Sequence, residues 1–194
     1  DKVVDAEISV VFYDIVNSTK KANEINSVLY QNALNLFLEE TIKIMLSYDL
    51  TIGGFLGDGI LGFTNQPFFQ KNFIDRILLC SIDINNMIQN YQNDFQKYWK
   101  GPFSLTTGIS KGNAKVGFFG STATFKHYTA IGPVVNKAKR LSGCCSENQI
   151  LIDDTIYPYC LASNYVVGGA GKFELKGFQE PQSLYSLIDK PNNL

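Results

Sequence analysis

The order of periodic segments predicts an α+β fold, with a ferredoxin-like βαββαβ core and a C-terminal extension. Three observations carry this. A short apolar run, Ile8 to Phe12, precedes a long stretch of helical periodicity; a glycine-punctuated hairpin comes next; and a second helical stretch leads into further strand-like runs. That order is the split βαβ unit, in which two crossover helices pack on one face of an antiparallel sheet and loops at the strand ends are left for chemistry.

Length and composition agree with a folded domain. With 194 residues and 45% hydrophobic content, the chain can bury a sizeable core. Seventeen basic and eighteen acidic residues give a net charge of -1, without the polyelectrolyte patch that nucleic-acid binding needs, so no nucleic acid is expected as a partner. Cys80, Cys144, Cys145 and Cys160 form no C-x-x-C pair, and the adjacent two are poorly suited to a disulfide with each other; reduced thiols and a cytoplasmic location are expected. No apolar run approaches the roughly 20 residues that span a bilayer, and the N-terminus lacks a signal peptide's layout, so this domain itself is expected to make no membrane contact. The first strand begins almost at once, and no linker or repeat divides the rest of the chain. Residues 1–194 therefore read as one domain cut from a longer signalling protein.

Taken in order, Val10 to Thr19 is an apolar strand ending in Asp14, with Asn17 or Ser18 available as an N-cap for the next helix. A carboxylate at such a junction either caps and pairs locally or holds a divalent cation that bridges acid and phosphate. Helical periodicity then runs to about Tyr48, with Ile25, Val28, Leu29 and Leu36 on one stripe and Leu34, Leu38, Ile42 and Met45 on another. Leu50 to Phe63 reads as a hairpin around Gly57-Asp58-Gly59; turn chemistry alone can explain Asp58, or the turn lifts an acid into a site. Phe73 to about Phe95 is the second helix, ended by Gly101-Pro102. Phe103 to Ile109 and Lys115 to Phe119 read as paired strands around Lys111-Gly112-Asn113. After the polar, aromatic segment Thr122 to Ile131, Gly132-Pro133 opens a helix through Leu141. Asn136 and Arg140, four apart on it, share one face, either as a donor-rich patch for an anion or as part of a solvated face with Lys137 and Lys139. Ile150 to Ile152 and Tyr165 to Val167 are strand candidates, and Lys172 to Leu175 should pair with Ser183 to Ile188.

In this order the pieces resemble the catalytic domain of class III adenylyl and guanylyl cyclases, nearly end to end. Phe12 to Thr19 is similar to the family's first metal segment, Gly57-Asp58-Gly59 to its second, Phe125 to Arg140 to the base-contacting strand and transition-state helix, and Phe173 to Gly177 to the terminal phosphate-binding strand. The resemblance implies two divalent cations, Mg²⁺ or Mn²⁺, held by Asp14, Asp58 and the carbonyl of Ile15. It also implies a nucleoside triphosphate substrate with its phosphates near Ser18, Thr19 and Lys176. Asn136 would orient the ribose, Arg140 would stabilise charge on the α-phosphoryl group, and Thr129 would meet the purine edge. Lysine normally stands four residues before the second metal aspartate in the adenylyl cyclases; here Gly54 does. The resemblance further implies a homodimer with shared sites. ATP is the favoured substrate over GTP, and a lysine at position 54 is expected to strengthen that choice if the loop can present it. The rival reading is a catalytically silent cyclase-like module kept for dimerisation or regulation. His127, the sole histidine, reads as a structural residue beside Tyr128.

Overall fold

The computed structural model describes residues 2–121 and 124–191. The elements run β1 (Val4–Ile15), α1 (Ser18–Glu24), α2 (Ser27–Ser47), β2 (Thr51–Leu56), β3 (Gly59–Phe63), α3 (Phe73–Asn90), α4 (Gln92–Trp99) and β4 (Leu105–Ser121), which is the expected core. The extension adds β5 (Phe125–Ile131), α5 (Pro133–Ser142), β6 (Ile150–Asp153), α6 (Tyr157–Ala162), β7 (Val166–Phe173) and β8 (Gln182–Asp189). Among the described residues the strands form one sheet in the order β2-β3-β1-β4-β6-β8-β7, with β5 paired to the distal half of β4. No helix among them is long and apolar enough to cross a membrane.

The pleat of β1 divides its side chains between two cores. Val11, Tyr13 and Ile15 face the layer of α2, α3 and α4, where Phe37, Ile77, Phe95, Trp99 and Phe103 are buried. Phe103 stacks on Phe95 at 4.0 Å between centroids and takes the edge of Trp99 at 5.0 Å. Ile8, Val10 and Phe12 point to the opposite face, where Val134 and Ala138 of α5 cover them. Asp14 follows Phe12 by two residues and so belongs to the α5 side of the sheet. That helix lies directly on β4: a Cβ at Gly108 would stand 2.1 Å from the Ala138 carbonyl oxygen, so only glycine permits the approach.

The structure corrects several local expectations. The stretch from Thr19 to Tyr48 is two helices, broken at Ile25-Asn26, because the Asn26 side chain accepts the Val28 N–H at 2.8 Å and starts a new helix. The fully buried stripe of α2 is Ala33, Phe37, Thr41 and Met45, whereas Val28 is exposed. The stretch from Phe73 to Phe95 likewise divides at Tyr91 and continues to Trp99. The expected turn at Lys111-Gly112-Asn113 does not form. Those residues pair with Ser9, Ile8 and Glu7 of β1 in one uninterrupted ladder from Leu105 to Val116, so long-range pairing overrides the local turn signal. Finally, the two candidates Tyr165 to Val167 and Lys172 to Leu175 belong to one strand, β7, which ends at Phe173 and leaves Glu174 to Pro181 as a loop. Thr122, where the aromatic segment was expected to start, lies outside the described residues.

Candidate active site

Two carboxylates are brought together at the end of the strands β1 and β3, in the interior of the sheet order. Tyr13 pairs with Ile60 across β1 and β3, so the loop Gly57-Asp58 lies beside the end of β1 that carries Asp14. Gly57 opens that loop at φ 70°, a conformation glycine adopts without penalty. Burial, then the Asp58 charge, raise the Asp14 pKa above its ordinary value, opposed by the Ile15 N–H and by Lys139. Asp58 Oδ2 is buried without a hydrogen-bond partner. A buried carboxylate oxygen left unbonded beside a second acid is costly unless a cation neutralises it, so the pair fits a divalent metal.

The chain beyond Asp14 turns through Asn17, which stands at the start of α1 in the left-handed region at φ 57°. Asparagine tolerates that conformation, so the turn into Ser18 and Thr19 is made without glycine. Tyr30 also belongs here: burial and the Asp58 charge raise its pKa, and a hydrogen bond with Ser18 opposes them. Nothing in the helical pattern distinguished Tyr30 from a packing residue, and Trp99 indeed meets its ring at 5.8 Å.

A second group of predicted residues lines a cavity of about 660 Å³ between β2, β5 and the start of α5. Gly54, Thr129 and Asn136 all open onto it, together with Phe55, Leu56, Phe125, His127 and Val135; Asp14 and Asp58 do not. Position 54 is not open. Gly54 has φ 138° at an irregularity in the β2–β3 ladder, and a Cβ there would stand 2.9 Å from His127 Nε2. A lysine presented from position 54 would therefore have to displace the His127 imidazole and hold a strained backbone.

Arg140 of α5 and Gly177, the residue after Lys176, come from distant segments and meet. A Cβ at Gly177 would lie 3.3 Å from an Arg140 guanidinium nitrogen, so the guanidinium rests on the turn that follows Lys176. The exposed Lys176 stands in the β7–β8 loop rather than on a strand. Between Asn136 and Arg140, Lys137 turns the other way and pairs with Asp153 at 2.7 Å; Asp153 is wholly buried and also accepts from Ser110 Oγ at 2.6 Å. Lys137 Nζ lies 5.3 Å from the Phe178 ring, so one side chain ties α5 to both β6 and the β7–β8 loop.

The fold recurs in solved structures. The adenylyl cyclase CyaB from P. aeruginosa superimposes with a TM-score of 0.90 at 27% identity, covering 100% of this chain and 99% of that one. The guanylate cyclase domain of RhGC from Catenaria anguillulae, in complex with GTP, gives 0.85 at 22% identity, covering 96% and 99%. Adenylate cyclase 1 of Rhizobium meliloti is 24% identical over 137 residues, which is 71% of this chain but only 20% of that protein, so the chain spans about a fifth of the relative's length. The sequence description of the adenylate and guanylate cyclase catalytic domain matches residues 3–189, and the chain belongs to that family.

Proposed function

We propose that the chain converts a purine nucleoside triphosphate, ATP in preference to GTP, to its 3′,5′-cyclic monophosphate and pyrophosphate. The observation that carries this is the Asp14–Asp58 pair with its buried, unbonded Asp58 oxygen. Two acids that repel each other have no structural use in a silent module; they are what a polyphosphate-handling metal site requires. The two carboxylates, with the Ile15 carbonyl, would hold two divalent cations, Mg²⁺ or Mn²⁺. When bound, such cations activate the attacking 3′-hydroxyl and neutralise the departing pyrophosphate.

The protein's own groups supply the rest. The amides and hydroxyls of Ser18 and Thr19 receive the β- and γ-phosphates, with Lys176 adding a point charge. Asn136 orients the ribose, and Arg140, resting on Gly177, directs its guanidinium at the α-phosphoryl oxygens as charge grows there. Thr129 presents a hydroxyl that can donate or accept to the base. The metal acids and the nucleoside cavity are separate groups in one chain, which supports a homodimer in which the acids of one subunit face the cavity of the other. The exposed apolar residues Phe55, Leu56, Phe125 and Ile131 around the cavity mouth suit a two-fold contact. The chain is proposed to be one domain of a longer, cytoplasmic signalling protein.

The test is direct. Purified protein with ATP or GTP and Mg²⁺ or Mn²⁺ should yield cyclic nucleotide on chromatography, and Asp14→Ala or Asp58→Ala should abolish it. Near-normal product from either variant sinks the metal assignment; no product from the wild type under any condition favours the silent module.

A further inference from the structure

Helix α5 carries three basic side chains, and two of them are accounted for. Lys137 is committed to Asp153 at 2.7 Å, and Arg140 rests on Gly177. Lys139 takes no hydrogen bond or ion pair among the described residues; its ammonium stands 5.5 Å from the centre of the Phe12 ring. That ring locates it. Phe12 and Asp14 are alternate residues of β1 and share the α5 side of the sheet. The tip of the same ring rests on the residue after Asp58, since a Cβ at Gly59 would stand 2.5 Å from Phe12 Cζ. Lys139, Asp14 and the Asp58 turn therefore border one aromatic ring, and the lysine charge reaches Asp14, where it opposes burial and the Asp58 charge.

An exposed lysine gives up rotamer freedom to stay in one place, and the face of one phenylalanine is a weak hold on an ammonium. What draws it there is the field of two carboxylates that lack a partner of their own. This has two consequences. With no metal bound, the ammonium offsets part of the repulsion between the acids. When a divalent cation enters, the same charge repels it, until a polyanion attracts the ammonium to itself. We propose that Lys139 is a built-in counter-cation of the Asp14–Asp58 pair, which competes with the metal and is drawn off by the triphosphate, so that metal binding depends on the polyanion. This rests on the reading of the acid pair as a metal site, and it gives α5 a role toward the acids of its own subunit.

The experiment uses the whole 194-residue chain with Lys139→Met, which keeps the stem and removes the charge, and Lys139→Arg, which keeps the charge. Calorimetry measures the dissociation constants of Mn²⁺ alone and of the complex of Mn²⁺ with inorganic triphosphate, at low and at high salt. At low salt Lys139→Met should bind Mn²⁺ alone about three- to tenfold more tightly than wild type, the worth of a unit charge repelling a double charge several ångströms away in water. The gap should narrow at high salt, Lys139→Arg should match wild type, and the triphosphate complex should bind Lys139→Met more weakly than wild type. Mn²⁺ affinity of Lys139→Met within about twofold of wild type at low salt, or an equal gain in Lys139→Arg, overturns the proposal. Tighter binding of both probes by Lys139→Met overturns the transfer to the polyanion. Asp14→Ala separates the two readings. If it loses Mn²⁺ while the Lys139 variants match wild type, the metal site stands and the counter-cation falls; if it binds Mn²⁺ as wild type does, or if no form binds Mn²⁺, both are overturned.

Discussion

Gly54→Lys would install the residue that resembling adenylyl cyclases use, yet the structure predicts that it damages the protein instead. Two costs add. Holding a non-glycine residue at φ 138° costs about 1–3 kcal/mol, and the new Cβ, 2.9 Å from His127 Nε2, displaces the imidazole from its bond to the Gly53 carbonyl, worth about another 1 kcal/mol. The sum, about 2–4 kcal/mol, corresponds for a chain of this length to a fall in Tm of about 4–16 °C. Both costs arise at Cβ, so Gly54→Ala should lose nearly as much as Gly54→Lys, although alanine carries no charge. His127→Ala combined with Gly54→Lys should relieve the crowding but neither the backbone strain nor the lost bond to the Gly53 carbonyl. Thermal unfolding of the three variants, with ATP and GTP turnover measured alongside, tests this. If Gly54→Lys melts with the wild type and turns over ATP more selectively, position 54 is open and the reasoning fails.

Three further outcomes are expected. Burial and the Asp58 charge raise the Asp14 pKa on folding, so the charged form opposes folding: nothing is lost below the unfolded carboxylate pKa, and stability falls as pH rises through the folded one. In chelator-treated protein, Asp14→Asn should therefore raise Tm at neutral pH and leave it unchanged in strong acid; a lower neutral Tm refutes the unneutralised pair. Lys137→Met alone or Asp153→Asn alone breaks a buried ion pair and should cost about 3–5 kcal/mol in urea unfolding, whereas Lys137→Met with Asp153→Leu should recover only part of it, because Ser110 Oγ and the Thr155 N–H then lose their acceptor. Single variants as stable as wild type would show that the pair does not hold α5. Mixing inactive Asp14→Ala with inactive Arg140→Ala should restore about a quarter of wild-type activity, since random exchange makes about half the dimers mixed, each with one intact site of two. No recovery, with subunit exchange shown by mass, places both residues in one site of one chain.

The sequence by itself determined the βαββαβ order, the placement of Asp14 at a strand end and Asp58 in a glycine-flanked turn, and the shared helical face of Asn136 and Arg140. Each of these is a local matter of period, turn chemistry or spacing within a few residues. It misjudged Lys111-Gly112-Asn113, because a turn signal is local while the twelve-residue ladder between β1 and β4 that straightens it is not. It missed the break at Asn26, where a side-chain cap competes with an otherwise continuous apolar pattern. Only the tertiary structure decided that Asp58 keeps an unbonded oxygen beside Asp14, that Arg140 rests on Gly177, and that Lys137 spans to Asp153. It also decided the meaning of Gly54. In the sequence that position is a missing lysine; in the fold it is a backbone conformation and a volume taken by His127, a residue 73 positions away whose ring bonds the neighbouring Gly53 carbonyl. Contacts of that range depend on how β5 folds back along β4 and meets β2, and no periodicity in the chain records it.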